Sequence, residues 1–390
     1  MTGANRSRRV TVVGGGIGGM AAALAFARRG AEVTVHEKSD ALREVGAGLQ
    51  ITPNGAAVLA ALGLDEAATG HAIRAVAVAP MDALTGRPIA RFDLSQLPGR
   101  PYRFFHRATL LGLLAEAARA AGVTIRTSSS ATQATAAGAV SFADGPASPA
   151  ALSIGADGLH SVLRPVLNGA DAPFFTGQVA WRAIVPAADL ADPVARIWMA
   201  PGRHVVTYPL PGGQLNVVAV QQRADWAAEG WDFHDEPGVV QAAFADCAAE
   251  LRAVLGRIEQ VRLWGLFRHP VAQSWHGGGA DGALALLGDA AHPTLPFLAQ
   301  GANLALEDAW VLAARTDAMP DLPAALSRYQ DLRRPRVRRA IAEANANAVN
   351  YHRAGLPRSL SHLALKGLAR AAPNAFIGRL NWLYAHDVTV

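Results

Sequence analysis

Hydrophobic and polar positions set two periods in the first forty residues. Val10 to Val13, "VTVV", is a β-branched run and predicts a strand. After a glycine cluster, "GMAAALAFARRG" is alanine-rich and predicts a helix closed by Gly30. "AEVTVHE", ending at Glu37, predicts a second strand, which makes one βαβ unit. Further on, "NGAAVLAALGL" predicts a helix, and "AIRAVAVAP" and "RPIARFDL" predict strands. An amphipathic helix is predicted from Thr109 onward, followed by the strand "VTIRT". The Ser-, Thr-, Ala-, Gly- and Pro-rich stretch from Ser128 to Ala151 predicts short hairpin strands with loops.

From Gly177 to about Phe267 the pattern changes to strands at short spacing: "QVAWRAIVP", "ARIWMA", "RHVVTYPL" and "QLNVVAVQ". "PGGQ" between the last two is a hairpin turn signal. One helix is expected over "PGVVQAAFADCAAELRAVLG". "GALALLGDAAHP" returns to a buried strand and loop, "GANLALEDAWVLAARTD" to a helix, and the tail from Arg333 is mostly helical, interrupted at Pro335. The expected fold class is α/β: a Rossmann-like nucleotide-binding domain (1–75, 100–175 and 280–350) interrupted by an antiparallel β-sheet domain (76–99 and 176–279), with a C-terminal helical segment (351–390).

Composition narrows the class. At 390 residues, with 51% hydrophobic and 17% charged, the chain can build two or three packed domains. No apolar run approaches the ~18 residues of a membrane span, and the N-terminus lacks a signal-peptide pattern. Cys247 is the sole cysteine, so no intrachain disulfide forms and a cytoplasmic location is expected. The net charge of +5 rests on arginine, since Lys38 and Lys366 are the only lysines. "RRPRVRR", Arg333 to Arg339, is expected to be a solvated helix face, and no nucleic-acid-binding module is present.

Gly14, Gly16 and Gly19 form G-x-G-x-x-G between the first strand and helix. The first glycine permits the turn, the second lets a pyrophosphate approach, and the third lets helix and strand pack closely. The helix N-terminus adds free N–H groups for phosphates. Glu37 ends the second strand where a carboxylate would bind ribose hydroxyls. Strand, helix, strand and acid in this order point to a dinucleotide, without separating NAD from FAD.

Two later stretches separate them. "GADGLHSVLR" (Gly155 to Arg164) and "GDAAHPTLPFLAQGANLALEDA" (Gly288 to Ala309) resemble the DG and GD motifs of the class A, single-component flavoprotein aromatic hydroxylases. The branch most similar is that of salicylate hydroxylase, 3-hydroxybenzoate 6-hydroxylase and 6-hydroxynicotinate 3-monooxygenase; "QVAWRAIVP", "LPFLAQGAN" and "LNWLYAHD" resemble it. The resemblance implies a glutathione-reductase-type, para-hydroxybenzoate hydroxylase-like fold with FAD as cofactor. It also implies NADH or NADPH as a transient cosubstrate, and no second G-x-G-x-x-G followed by a helix is found.

Carried over by residue, the resemblance assigns Gly14, Gly16, Gly18 and Gly19, with Ile17 in the same loop, to the FAD diphosphate. Glu37, with Lys38 beside it, goes to the adenosine ribose; Arg43, Gly48 and Gln50 go to the segment passing the ribityl chain and flavin. Arg107 would reach FAD from a helix start, Asp157 is the DG-motif aspartate, and Asp289 would contact ribityl hydroxyls. Gly301, Ala302 and Asn303 would meet the flavin pyrimidine edge, with Pro296 in the stiff loop before them. A helix N-terminus there would stabilise the negative charge of reduced flavin by ~0.3–2 kcal/mol.

The resemblance further implies hydroxylation of a small aromatic substrate, a hydroxybenzoate or hydroxypyridine carboxylate, with O2 through a flavin C4a-hydroperoxide. A base near the ring hydroxyl would raise the ring's nucleophilicity. His204 and Tyr208, four apart on a predicted strand, share a face and match the branch's His-x-x-x-Tyr pair; Gln300 matches a glutamine near substrate and flavin. His292 is expected to be structural, with no metal site. Trp181 and Arg182 either wall the pocket or form an exposed strand pair, and Tyr102 is a further candidate. The chain departs from the family at Arg268-His269-Pro270, where relatives carry Asp-Arg before the proline. Alternatives remain open: a prenyl-reductase-like flavin oxidoreductase without oxygen insertion, a hydroxylase of a larger natural product, or a flavin-binding sensor. Neither a monomer nor a homodimer is excluded.

Overall fold

The computed structural model describes residues 3–42, 47–146, 150–187, 189, 192–224, 233–372 and 378–390. A six-stranded sheet has the order His276–Gly279, Gly282–Leu286, Leu152–Gly155, Arg9–Val13, Glu32–His36, Thr124–Arg126. All its pairs are parallel except the hairpin of the first two. The helix Ile17–Ala27 is buried along nearly its whole length, which explains its alanines: no face meets water, and small side chains admit close neighbours. It packs on the helices Arg107–Ala120 and Gly301–Ala318.

An eight-stranded sheet has the order Phe233–Asp235, Val261–Arg268, Phe174–Pro186, Gln214–Gln222, Arg203–Leu210, Val194–Ala200, Ala77–Asp82, Phe92–Asp93. It is antiparallel except where Val194–Ala200 runs parallel to Ala77–Asp82. Its two faces differ. Trp181, Val205, Val217 and Ala219 pack with Val240, Phe244 and Leu251 into a core of their own. Arg182, His204, Val206, Tyr208, Val218 and Val220 face the opposite way and line a cavity. Strand alternation thus separates Trp181, whose Nε1 donates to Asp235 at 2.7 Å, from Arg182.

Several expectations are corrected. "AIRAVAVAP" is two strands, Ile73–Arg74 and Ala77–Asp82, in different sheets. The expected single helix over 237–256 is two, Pro237–Ala243 and Ala249–Leu255. His276–Gly279, within the expected second-domain range, pairs with Gly282–Leu286 and so joins the six-stranded sheet. Pro335 does not interrupt its helix, which runs from Leu322 to Tyr351. Buried Tyr329, Arg333 and Val337 anchor it on either side of the proline. The arginine cluster is accordingly only in part a solvated face: Arg338 and Arg339 are exposed, but Arg333 is 1% exposed. Among the described residues no helix is long and apolar enough to cross a membrane.

Candidate active site

The glycine loop is built on two backbone crossings. Gly14 has φ +107°, and a Cβ there would lie 2.3 Å from Ala156 O; a Cβ on Gly19 would lie 1.9 Å from Gly14 O. Only glycine allows the loop to pass Ala156, beyond the neighbouring strand Leu152–Gly155, and its own backbone this closely. Gly14 and Gly19 therefore shape the loop, while Gly16, Ile17 and Gly18 line the cavity. Gly16 caps the helix Ile17–Ala27 without a side-chain hydrogen bond, so the first-turn N–H groups remain available to an anion. Glu37 accepts from Gly15 N at 2.7 Å and from Ser39 N at 2.9 Å. Lys38 lies beside it on the cavity wall.

Asp157 follows the strand Leu152–Gly155. Its Oδ2 accepts from Val162 N at 2.8 Å, and burial raises its pKa. Its Oδ1 is buried without a partner among the described residues. The Arg268-His269-Pro270 segment packs beside this turn. His269 Nε2 meets Leu159 O at 3.1 Å and its Nδ1 lies 3.2 Å from Asp171, which also pairs with Arg164. Arg268 donates to Asn345 Oδ1 at 2.9 Å.

The loop from Gly288 and the start of Gly301–Ala318 rest on a buried charge cluster. Asp308 Oδ2 takes Gly288 N at 3.1 Å and His292 Nε2 at 2.5 Å, and Arg333 Nε donates to its Oδ1 at 2.8 Å. Glu307 pairs with Arg333 and Arg336 and accepts from Asn54 at 2.6 Å. Burial alone would raise both carboxyls, yet the facing cations hold Glu307 below its usual range and Asp308 at about 2. Asn303 is wholly engaged on the protein: its Oδ1 accepts from Thr52 N, and its Nδ2 donates to Gln50 O and Ala299 O. Gln300 is likewise held, donating to Thr52 Oγ1 at 3.1 Å and accepting from Asn54 at 3.2 Å. Gln300, Gly301, Ala302, Pro296 and Asp289 line the cavity; Asn303 does not.

On the opposite wall stand His204, Val206 and Tyr208, joined by Arg182, whose guanidinium lies 4.3 Å from the Trp264 ring centroid. Gln50 links the tyrosines: Tyr102 donates to its Oε1 at 2.5 Å, and it hydrogen-bonds Tyr208. Burial raises the pKa of Tyr208, keeping it a neutral phenol. His204 Nδ1 lies 2.7 Å from His352 Nε2. Burial, and then the neighbouring His352, push His204 well below the ordinary imidazole value; burial brings His352 to about 4. Both rings are neutral at pH 7.

The walls enclose one cavity of about 600 Å³, to which Gly48, Gln50, Arg107 and Asp157 also contribute. Arg43 lies outside the described residues. Two residues that back these walls were missed. Asn216 accepts from Gly48 N at 2.6 Å and sits opposite Tyr208 in register; a lone polar residue inside the apolar run "QLNVVAVQ" was an available signal. His352 ends a helix 148 residues from His204, and no local pattern marks it. The residues present suit FAD. The uncapped helix start at Gly16 could take a diphosphate and Glu37 could take a ribose, and Asp157, whose buried Oδ1 has no partner among the described residues, lines the same cavity.

Residues 7–344 match the family described as FAD binding domain. The chain is 38% identical over 374 residues to 3-amino-4-hydroxybenzoate 2-monooxygenase of Streptomyces platensis, covering 89% of each. It is 34% identical over 395 residues to 3-hydroxybenzoate 6-hydroxylase of Klebsiella oxytoca, covering 96% of each. Among solved structures it resembles 2-methyl-3-hydroxypyridine-5-carboxylic acid oxygenase with a TM-score of 0.75 at 26% identity, over 95% of this chain and 98% of that one. It shares the fold of a salicylate hydroxylase substrate complex, with a TM-score of 0.79 at 24% identity over 98% and 96% of the two chains. A family match spanning the glycine loop, the Asp157 turn and the Gly288 loop, with relatives alike over nearly the whole chain, makes this protein a member of the FAD binding domain family and a flavin-dependent aromatic monooxygenase.

Proposed function

We propose that the chain hydroxylates a small anionic, hydroxylated ring, a hydroxybenzoate or hydroxypyridine carboxylate, using NADH or NADPH and O2. Bound FAD supplies the redox chemistry. The observation that carries the reading is the single cavity shared by the glycine-loop residues, the helix start at Gly301 and the His204–Tyr208 strand face. A ring held there would touch both walls.

The chain's own residues have distinct parts in this reading. Neutral His204 accepts the proton of the ring hydroxyl or hydrogen-bonds its oxygen. Tyr208, fixed by Gln50 and by the Phe104 ring 5.0 Å away, orients the substrate. Arg182, stacked on Trp264, offers a cation to a carboxylate. Apolar Val206, Val218, Val220 and Phe297 exclude water between them. Relatives that act on 3-amino-4-hydroxybenzoate and 3-hydroxybenzoate support this substrate class over a prenyl chain.

The test is a panel of hydroxybenzoates and hydroxypyridine carboxylates, scored for stimulated NAD(P)H oxidation and hydroxylated product. His204→Ala is expected to keep FAD while diverting oxidation to hydrogen peroxide. Unchanged coupling in that variant removes His204 from the mechanism.

A further inference from the structure

The bond between His204 Nδ1 and His352 Nε2 joins the strand Arg203–Leu210 to the residue that ends the helix Leu322–Tyr351. Among the described residues, the rings packed on His204 are Phe297, Tyr351 and His352. Two neutral imidazoles share such a bond in only two ways. In the first, His204 Nδ1–H donates, its Nε2 keeps a lone pair, and His352 carries its hydrogen on Nδ1. In the second, His352 Nε2–H donates, His204 carries a hydrogen on Nε2, and His352 Nδ1 keeps a lone pair.

Position gives the pair a direction. His204 lines the cavity and is 1% exposed, whereas His352 is 7% exposed and does not line it. His352 Nδ1 is buried and has no hydrogen-bond partner among the described residues, but the ring ends its helix directly before the exposed Arg353 and Ala354. A single buried histidine acting as base would be left holding a charge its surroundings disfavour. A second ring that passes the proton outward removes that penalty.

We propose that His352 is the proton-relay partner of His204. The proposal rests on the reading that His204 faces the substrate hydroxyl. The hydroxyl proton moves to His204 Nε2, the His204 Nδ1 proton moves to His352 Nε2, and the His352 Nδ1 proton leaves to a water admitted at the helix end, beside the exposed Arg353. The electron pair of the O–H bond stays on the ring oxygen, giving a phenolate. Both imidazoles end neutral, in the second arrangement. His352 touches neither ring nor flavin and acts through His204 alone.

The test uses FAD-loaded protein with a bound nitro-substituted hydroxybenzoate, whose phenolate absorbs in the visible. A stopped-flow pH jump reads how fast the bound phenolate appears. His352→Phe keeps ring volume without nitrogen; His352→Gln keeps a hydrogen bond to His204 without a titratable ring. Both are expected to slow phenolate appearance at least about tenfold, with flavin content unchanged and with His352→Gln keeping the ligand's dissociation constant. His204→Ala is expected to be equally slow, and adding His352→Phe to it to cost nothing more. A wild-type rate in His352→Gln or His352→Phe, with His204→Ala slow, overturns the relay and leaves the role of His204 standing. A wild-type rate in His204→Ala overturns the underlying reading instead. Lost affinity or lost flavin in both His352 variants assigns the residue to packing and also overturns the relay.

Discussion

Gly48 and Tyr208 touch across two sheets: a Cβ on Gly48 would stand 2.7 Å from Cε2 of the tyrosine ring and 2.6 Å from Asn216 Cγ. The strand Gly48–Ile51 thereby lies flush against the strand face that carries His204. Gly48→Ala must push that face back, by the overpacking that costs ~1–3 kcal/mol in a filled core. Thermal unfolding should show the loss, and peroxide release should rise as Tyr208 shifts.

The glycine loop predicts a sharper effect. Gly19→Ala sets a methyl carbon 1.9 Å from a backbone oxygen, which cannot rotate away. The purified variant is expected to lack the yellow of bound flavin. Gly367→Ala, in a helix with nothing within 4 Å of the new carbon, should keep full flavin and gain up to about 1 kcal/mol.

The carboxylate cluster predicts an acid limb. Asp308 falls from its ordinary 3.8 to about 2 in the folded chain. A depressed folded value stabilises above the unfolded value, and the contribution is lost as pH drops from about 4 toward 2. Asp308→Asn should lose ~3–5 kcal/mol at neutral pH, because Arg333 is left buried with one partner fewer. Its stability should then fall less steeply over that acid window, as followed by urea unfolding at stepped pH.

Arg182 predicts a split between binding and cofactor. Arg182→Met should raise KM for a ring carboxylate about tenfold or more, the scale of one charge-assisted hydrogen bond, with flavin content unchanged. Arg182→Lys should recover little, since an ammonium lacks the planar fork that the guanidinium holds over the Trp264 ring. An equal change in KM for an uncharged phenol would show that the cation does not meet the carboxylate.

Much of the architecture was legible because local patterns carry it. The βαβ unit, the hairpin at Pro211 to Gln214 and the His204–Tyr208 face follow from short-range period alone. What stayed hidden depends on pairs distant in sequence. Arg333 reads as one arginine in a basic run until Glu307 and Asp308 are seen beneath it. Pro335 reads as a break until the packing of Tyr329 and Val337 holds the helix through it. His352 had no signal, since its partner is set by where a 30-residue helix ends.

That helix also acts as a ruler. Arg333 is clamped in the carboxylate cluster under the Gly288 loop, and 352 − 333 = 19 residues later the same rod sets an imidazole behind the substrate wall. Each residue added between them turns everything beyond by about 100° and advances it about 1.5 Å. The interval is thus closed to insertion or deletion, though its exposed surface accepts many substitutions. Length, more than side-chain identity, is what this stretch must conserve.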